Sequence, residues 1–82
     1  YERGKKMNGL TKQIVINKVI EEVDEARGNA EHGQLLDPIA YGTLFGEVST
    51  LKRLELITEA EGIKLLNDVN FAYTGNREGE NL

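Results

Sequence analysis

The 82-residue chain has no cysteine and no tryptophan, and it has only one proline, one serine and one histidine. Without cysteine it forms no disulfide, and secreted domains of this size often need disulfides, so we expect a reducing compartment, the cytoplasm. No apolar run approaches the roughly 18 residues of a membrane span, so no membrane segment is expected. His32 and Ser49 form no recognisable nucleophile–base motif. The sequence therefore predicts a non-enzyme, with no catalytic residue, no cofactor and no metal ligand.

The charge balance argues against nucleic acid as a partner. Fourteen acidic and ten basic residues give a net charge of −4. Nucleic-acid affinity depends largely on Lys and Arg contacts to phosphates, which an acidic domain is poorly placed to supply. The acidic run at Glu21, Glu22, Asp24 and Glu25 is interpreted as a solvated helix face.

The chain is short enough for one domain, which we divide into three parts. Residues 1–10 are predicted to be a flexible basic arm, 11–75 a three-helix domain, and 76–82 a frayed polar tail. Met7 is the only methionine and a candidate natural start, in which case residues 1–6 would be extraneous. A domain this small has a thin core, so a second copy or another partner is a plausible source of further burial.

Three stretches have the apolar periodicity of amphipathic helices. We predict helices over 11–32, 38–55 and 59–73. A short strand is the competing interpretation for Ile14–Ile16, which are β-branched, but the helical period continues beyond them. In the first helix the apolar positions on one face are Val15, Ile16, Val19, Ile20, Val23, Ala26 and Ala30.

Capping residues mark the ends of the second and third helices. Asp37 is a favourable N-cap, and Pro38 suits the first helical position because its missing amide would have no partner there. Thr58 and Glu61 have the spacing of a capping box, and Gly75 is a candidate C-terminal stop. The short connection between helices two and three indicates a helical hairpin, so the predicted fold is an all-α three-helix bundle built on that hairpin.

The second helix carries small residues beside its apolar face: Gly42, Gly46, Ser49 and Thr50. Glycine inside a helix costs about 1 kcal/mol relative to alanine, so a close helix–helix approach is expected to offset this cost. The approaching element would be helix one or three of the same chain, or helix two of a second copy; the third alternative is an exposed stripe that nothing approaches. We therefore take these four residues as interface candidates.

Three apolar residues fall outside the predicted core faces. They are Leu10 and Ile14 on the first helix and Phe71 on the third. Single exposed apolar residues are ordinary, but these three would form a binding patch if they met in space. They complete the set of interface candidates.

The sequence favours a small protein–protein interaction module, such as a regulator, an inhibitor or an assembly subunit, with a homodimer as one form. The alternative is a nucleic-acid-associated regulator that uses the basic arm, with the bundle as its dimerisation unit. A helix-turn-helix interpretation is unfavourable because Glu59 and Glu61 would open the reading helix.

Overall fold

A computed structural model describes residues 9–76 and confirms the predicted all-α bundle. Its helices are α1 (Gly9–Glu31), α2 (Pro38–Arg53) and α3 (Glu59–Thr74), and this range contains no strand. The strand interpretation of Ile14–Ile16 is therefore wrong. Helix α1 begins two residues before the predicted start, so Gly9 and Leu10 are helical. The rest of the predicted arm, and the tail beyond Asn76, lie outside the described range.

Helix α1 ends in a Schellman motif at Gly33, directly after the predicted end at residue 32. Gly33 has φ +90°, its amide donates to the carbonyl of Ala30, and the Gln34 amide donates to Asn29. Glycine suits this left-handed position because it has no Cβ to clash. The linker that follows is tied to α3, since the Leu36 amide donates to the Ala72 carbonyl at 2.9 Å.

Both predicted N-caps are present. The Asp37 carboxylate accepts from the Ala40 amide at 2.8 Å. The Thr58 hydroxyl accepts from the Glu61 amide at 3.0 Å, and the Glu61 carboxylate accepts from the Thr58 amide at 2.8 Å. These bonds satisfy amides that have no partner within the first helical turn. They explain why α2 and α3 start where the sequence predicted.

The turn between α2 and α3 forms without glycine. Glu55 lies in the left-handed region with φ 60°, and its amide donates to the Lys52 carbonyl. The next amide, of Leu56, donates to Leu51 at 2.9 Å, which completes a second Schellman motif. Helix α2 therefore ends at Arg53, two residues before the predicted end.

The helices alternate in direction, so α2 runs antiparallel to α1 and α3. Arg27 on α1 pairs with Asp68 on α3, and Ile16 lies near Leu56 just before α3 begins, so α1 and α3 are parallel. Helix α3 packs closely on both neighbours, whereas α1 and α2 touch each other least. Each helix contributes one fully buried valine to the core: Val23, Val48 and Val69.

An aromatic contact fixes α2 against the C-terminal half of α3. The rings of Tyr41 and Tyr73 stack with centroids 4.3 Å apart, and Phe45 lies 5.7 Å from Tyr41 in a tilted arrangement. The Tyr41 hydroxyl donates to Oδ1 of Asn70 at 2.8 Å. Aromatic pairs of this kind add about 0.5–1.5 kcal/mol beyond the area they bury.

Candidate interaction surfaces

Phe71 belongs to the core, so the prediction that it is exposed is wrong. It is only 8% exposed, and its neighbour on the α1 side, Asp68, is 7% exposed. Helix α3 packs on α1 and α2 at once, and therefore buries a wider stripe than a helix with a single partner. Helical periodicity predicts a single apolar stripe, and Phe71 lies on this second flank of it.

Leu10 and Ile14 are exposed, as predicted, at 73% and 56%. They do not meet Phe71. The Arg27–Asp68 pair places Phe71 beside the C-terminal part of α1, and Ile14 lies about 20 Å before Arg27 at 1.5 Å per residue. Val15 is the next exposed apolar residue on α1, and the first buried one is Val19. Residues 9–15 of α1 are all exposed, and we call this segment the overhang of α1.

No other helix of the described chain approaches the predicted glycines. A Cβ added at Gly42 or Gly46 would have no heavy atom within 4 Å, so the interpretation that α1 or α3 packs on them is wrong for residues 9–76. The close approach occurs instead at Gly62 in the first turn of α3. A Cβ there would clash with the side-chain stem of Lys52, whose own Cβ lies 3.4 Å away.

An open groove of about 520 Å³ runs between α1 and α2. Three of the predicted interface candidates line it, namely Gly42, Gly46 and Thr50, and Ser49 does not. Ser49 is partly buried beside the α2 core face. The remaining lining residues are Val15, Val19, Thr43, Glu47 and Leu51.

The charged residue that lines this groove is Glu47 on α2, and the carboxyl group of Glu22 on α1 lies close to it. Burial raises the pKa of Glu47, and a side-chain hydrogen bond and like-charge repulsion from Glu22 raise it further. While both carboxyl groups are ionised they have no proton to share, so the solvent-shielded Oε1 of Glu47 then has no hydrogen-bond partner in the described chain. None of the ion pairs among residues 9–76 includes either glutamate. A cationic hydrogen-bond donor from a second molecule would give Oε1 of Glu47 a partner and would also give the two carboxyl groups an ion pair.

A second groove, of about 340 Å³, lies between α1 and α3 at the α2–α3 turn. Its lining combines five aliphatic side chains with four polar ones, which include charges of both signs. Sequence reasoning missed this groove because Leu56 and Ile57 belong to the turn, where helical periodicity gives no face. The aliphatic residues are Ile16, Ile20, Leu56, Ile57 and Leu65, and the polar ones are Gln13, Asp24, Glu61 and Lys64.

The remaining polar groups suggest structural roles. Lys64 donates to Asp68 at 3.2 Å, and Arg27 lies 3.6 Å from Asp24. His32 is exposed just after α1, and no group of three or more potential metal-binding side chains occurs within 9–76. In the same range no helix combines the length and apolarity needed to cross a membrane.

Comparison with known proteins gives no relative on which to base a function. No protein-family model matches this chain, and neither a curated protein nor a solved structure matches it.

Proposed function

We propose that this chain is a non-enzymatic protein-binding module of the cytoplasm, and that the α1–α3 groove is its docking site for a partner. The observation that carries the proposal is the aliphatic character of this groove. Ile16, Ile20, Leu56 and Ile57 are only partly buried and pack against the edge of the core. They offer apolar surface whose removal from water is worth about 25 cal/mol per Å².

The partner that fits is a short amphipathic helix. Helix-in-groove recognition uses apolar anchors from one helix face, and flanking polar groups set its register. Here Asp24 and Glu61 stand at the edge of the groove with Lys64. Two acids and one base favour a partner whose anchors are flanked by a basic residue.

The charges give less support to a nucleic-acid-associated regulator. Arg27, Lys52 and Lys64 already pair with carboxylates, and Glu59 and Glu61 stand at the start of α3. The arm that this alternative needs lies mostly outside the described residues. Retention on heparin that falls steeply with salt would favour the alternative over the module.

The test is a comparative capture from the native cell lysate. Immobilised wild-type chain should retain a specific protein that free wild-type chain displaces, and Ile57→Lys should lose it. Ile63→Lys is the matched control, because Ile63 is an exposed isoleucine of α3 outside the groove. Circular dichroism must show all three chains equally helical. Equal retention by wild type and both variants, or no displaceable protein, would contradict the proposal.

A further inference from the structure

We propose that the α1–α2 groove is a self-association surface, on which a second copy of this chain lays the exposed face of its α1. The α1–α2 groove shares no lining residue with the α1–α3 groove, and Asp24 is the one residue of the α1–α3 groove that enters the contacts argued below. The exposed face of α1 carries Leu10, Ile14 and Lys18 at successive four-residue steps, which we call the α1 ridge. Residues four apart lie on one side of a helix, so the ridge presents two aliphatic side chains followed by a cation.

The receiving surface is the outer face of α2. It starts with Ile39, which at 82% is the most exposed large apolar residue of the described chain. Thr43, Gly46, Glu47 and Thr50 continue it along the groove. The open space above Gly42 and Gly46 gives an incoming helix room to approach the α2 backbone closely.

The ridge matches this surface step by step when the incoming α1 runs parallel to α2. Both are helices with the same rise, so Leu10 beside Ile39 places Ile14 beside Thr43 and Lys18 beside Glu47. Apolar side chains then meet apolar or small ones, and the cation meets the glutamate with the shielded, unpartnered oxygen.

The same alignment continues beyond Lys18. It brings Asp24 of one copy beside Arg53 of the other, and Arg53 is exposed at the end of α2 with no ion pair in residues 9–76. In the opposite orientation the acidic run Glu21–Glu25 would lie over the Ile39 end of α2. Charge complementarity therefore selects one direction.

The parallel orientation of the incoming α1 on α2 is also compatible with a closed, twofold-symmetric dimer. Helix α2 is antiparallel to α1 within one chain, so an incoming α1 parallel to α2 is antiparallel to the α1 it meets. That is the relation that a twofold axis requires, and every contact then occurs twice. The two copies cover each other's overhang, including Val15 at the mouth of the groove.

The test is sedimentation equilibrium of the full chain over about 1 µM to 1 mM, a range that brackets weak self-association. We expect a monomer–dimer equilibrium in the wild type. Ile14→Glu on the ridge, and Gly46→Leu and Ile39→Glu on the receiving face, should each shift it at least tenfold toward monomer. Ile63→Glu on α3 should leave it unchanged.

Two complementation experiments test the pairing itself. In an equimolar mixture, Ile14→Glu keeps an intact receiving face and Gly46→Leu keeps an intact ridge, so the mixture should dimerise more than either variant alone. Lys18→Glu and Glu47→Lys should each weaken the dimer, and the double variant should restore it.

A wild type that stays monomeric throughout the range would overturn the proposal. So would a dimer that is insensitive to both Ile14→Glu and Ile39→Glu, since those surface variants should remain folded. Neither result bears on the capture by the α1–α3 groove, because Ile57→Lys leaves the ridge and its receiving face intact.

Discussion

Asp68 on α3 faces Arg27 on α1, with 3.9 Å between Oδ2 and Nη1. Its side chain is only 10% exposed, and the same oxygen accepts from Lys64 at 3.2 Å. Asp68→Ala should lower the free energy of unfolding by about 1–3 kcal/mol. The reason is that the Arg27 guanidinium, whose shielded Nε already has no hydrogen-bond partner in the described chain, would also lose its negatively charged neighbour on α3. Urea unfolding measures this change. Asp24→Ala removes the more exposed partner of Arg27 and should cost no more than about 1 kcal/mol.

Glu55 pays a conformational cost that glycine would avoid. A side chain in the left-handed region costs roughly 1–2 kcal/mol, and Glu55 lies there with φ 60°. Glu55→Gly should therefore raise the free energy of unfolding by about 1 kcal/mol. Glu55→Ala keeps a Cβ and should give no such gain. Equal stabilisation by both substitutions would show that loss of the carboxylate, and not backbone strain, is the cause.

The Glu47 carboxyl should make stability depend on pH in a defined direction. Its pKa in the folded chain is raised above the ordinary value of 4.5, so the folded state holds the proton more tightly than the unfolded state does. Ionised Glu47 thus disfavours folding at neutral pH, and the penalty fades as the pH falls through the raised pKa.

Glu47→Gln should therefore be more stable than wild type at pH 7, and the difference should vanish below about pH 4.5. Thermal unfolding at a concentration low enough for monomers measures it. Glu25→Gln changes the net charge equally from an exposed position, and should show a smaller change at pH 7. A Glu47→Gln difference that is constant across this pH range would contradict the assignment.

The glycines of α2 and α3 should respond differently to alanine. Gly42→Ala and Gly46→Ala add a methyl group in open space and should each stabilise the monomer by about 1 kcal/mol. Gly62→Ala must displace the stem of Lys52, whose ammonium lies 3.6 Å from Glu59, and should gain less or lose stability. Chemical denaturation of the three variants ranks them directly.

Phe71 and Leu10 both fall outside the predicted core faces, and alanine substitutions test which of the two is buried in the core. Phe71→Ala should cost about 3 kcal/mol or more because it removes a buried ring. Leu10→Ala should change the stability of the monomer by no more than about 0.5 kcal/mol, since Leu10 is exposed. Similar losses in the two variants would contradict the placement of Phe71.

The sequence was sufficient to predict where α2 and α3 begin because their start signals are local. Asp37, Thr58 and Glu61 bond to amides within their own first turn, so no tertiary information is needed to recognise them. The stop at Gly75 is similar, since glycine adopts the left-handed conformation without the steric cost of a Cβ. Glu55 also adopts the left-handed conformation, but glutamate rarely does so, and its position in the turn could not be predicted from its residue type.

The interaction surfaces were harder to predict because they depend on how the helices are placed around each other. Periodicity identified the small stripe at Gly42 and Gly46 but could not show that it faces away from α1 and α3. Periodicity also placed Gly62 on the apolar side of helix three, but it could not show that the Lys52 side chain packs closely there. Phe71 was misplaced since a single stripe describes a helix with one neighbour, and α3 has two.

The three largest fully buried side chains in residues 9–76 are all valine, one from each helix. Valine is stiff about χ1, so it can neither swing aside for a larger neighbour nor expand into a vacancy. Size changes at Val23, Val48 or Val69 must consequently be absorbed by movement of whole helices. Helices α1 and α2 share the smallest contact, so they should separate first. A bulkier residue at the centre of the core would therefore widen the α1–α2 groove, even though it does not line that groove.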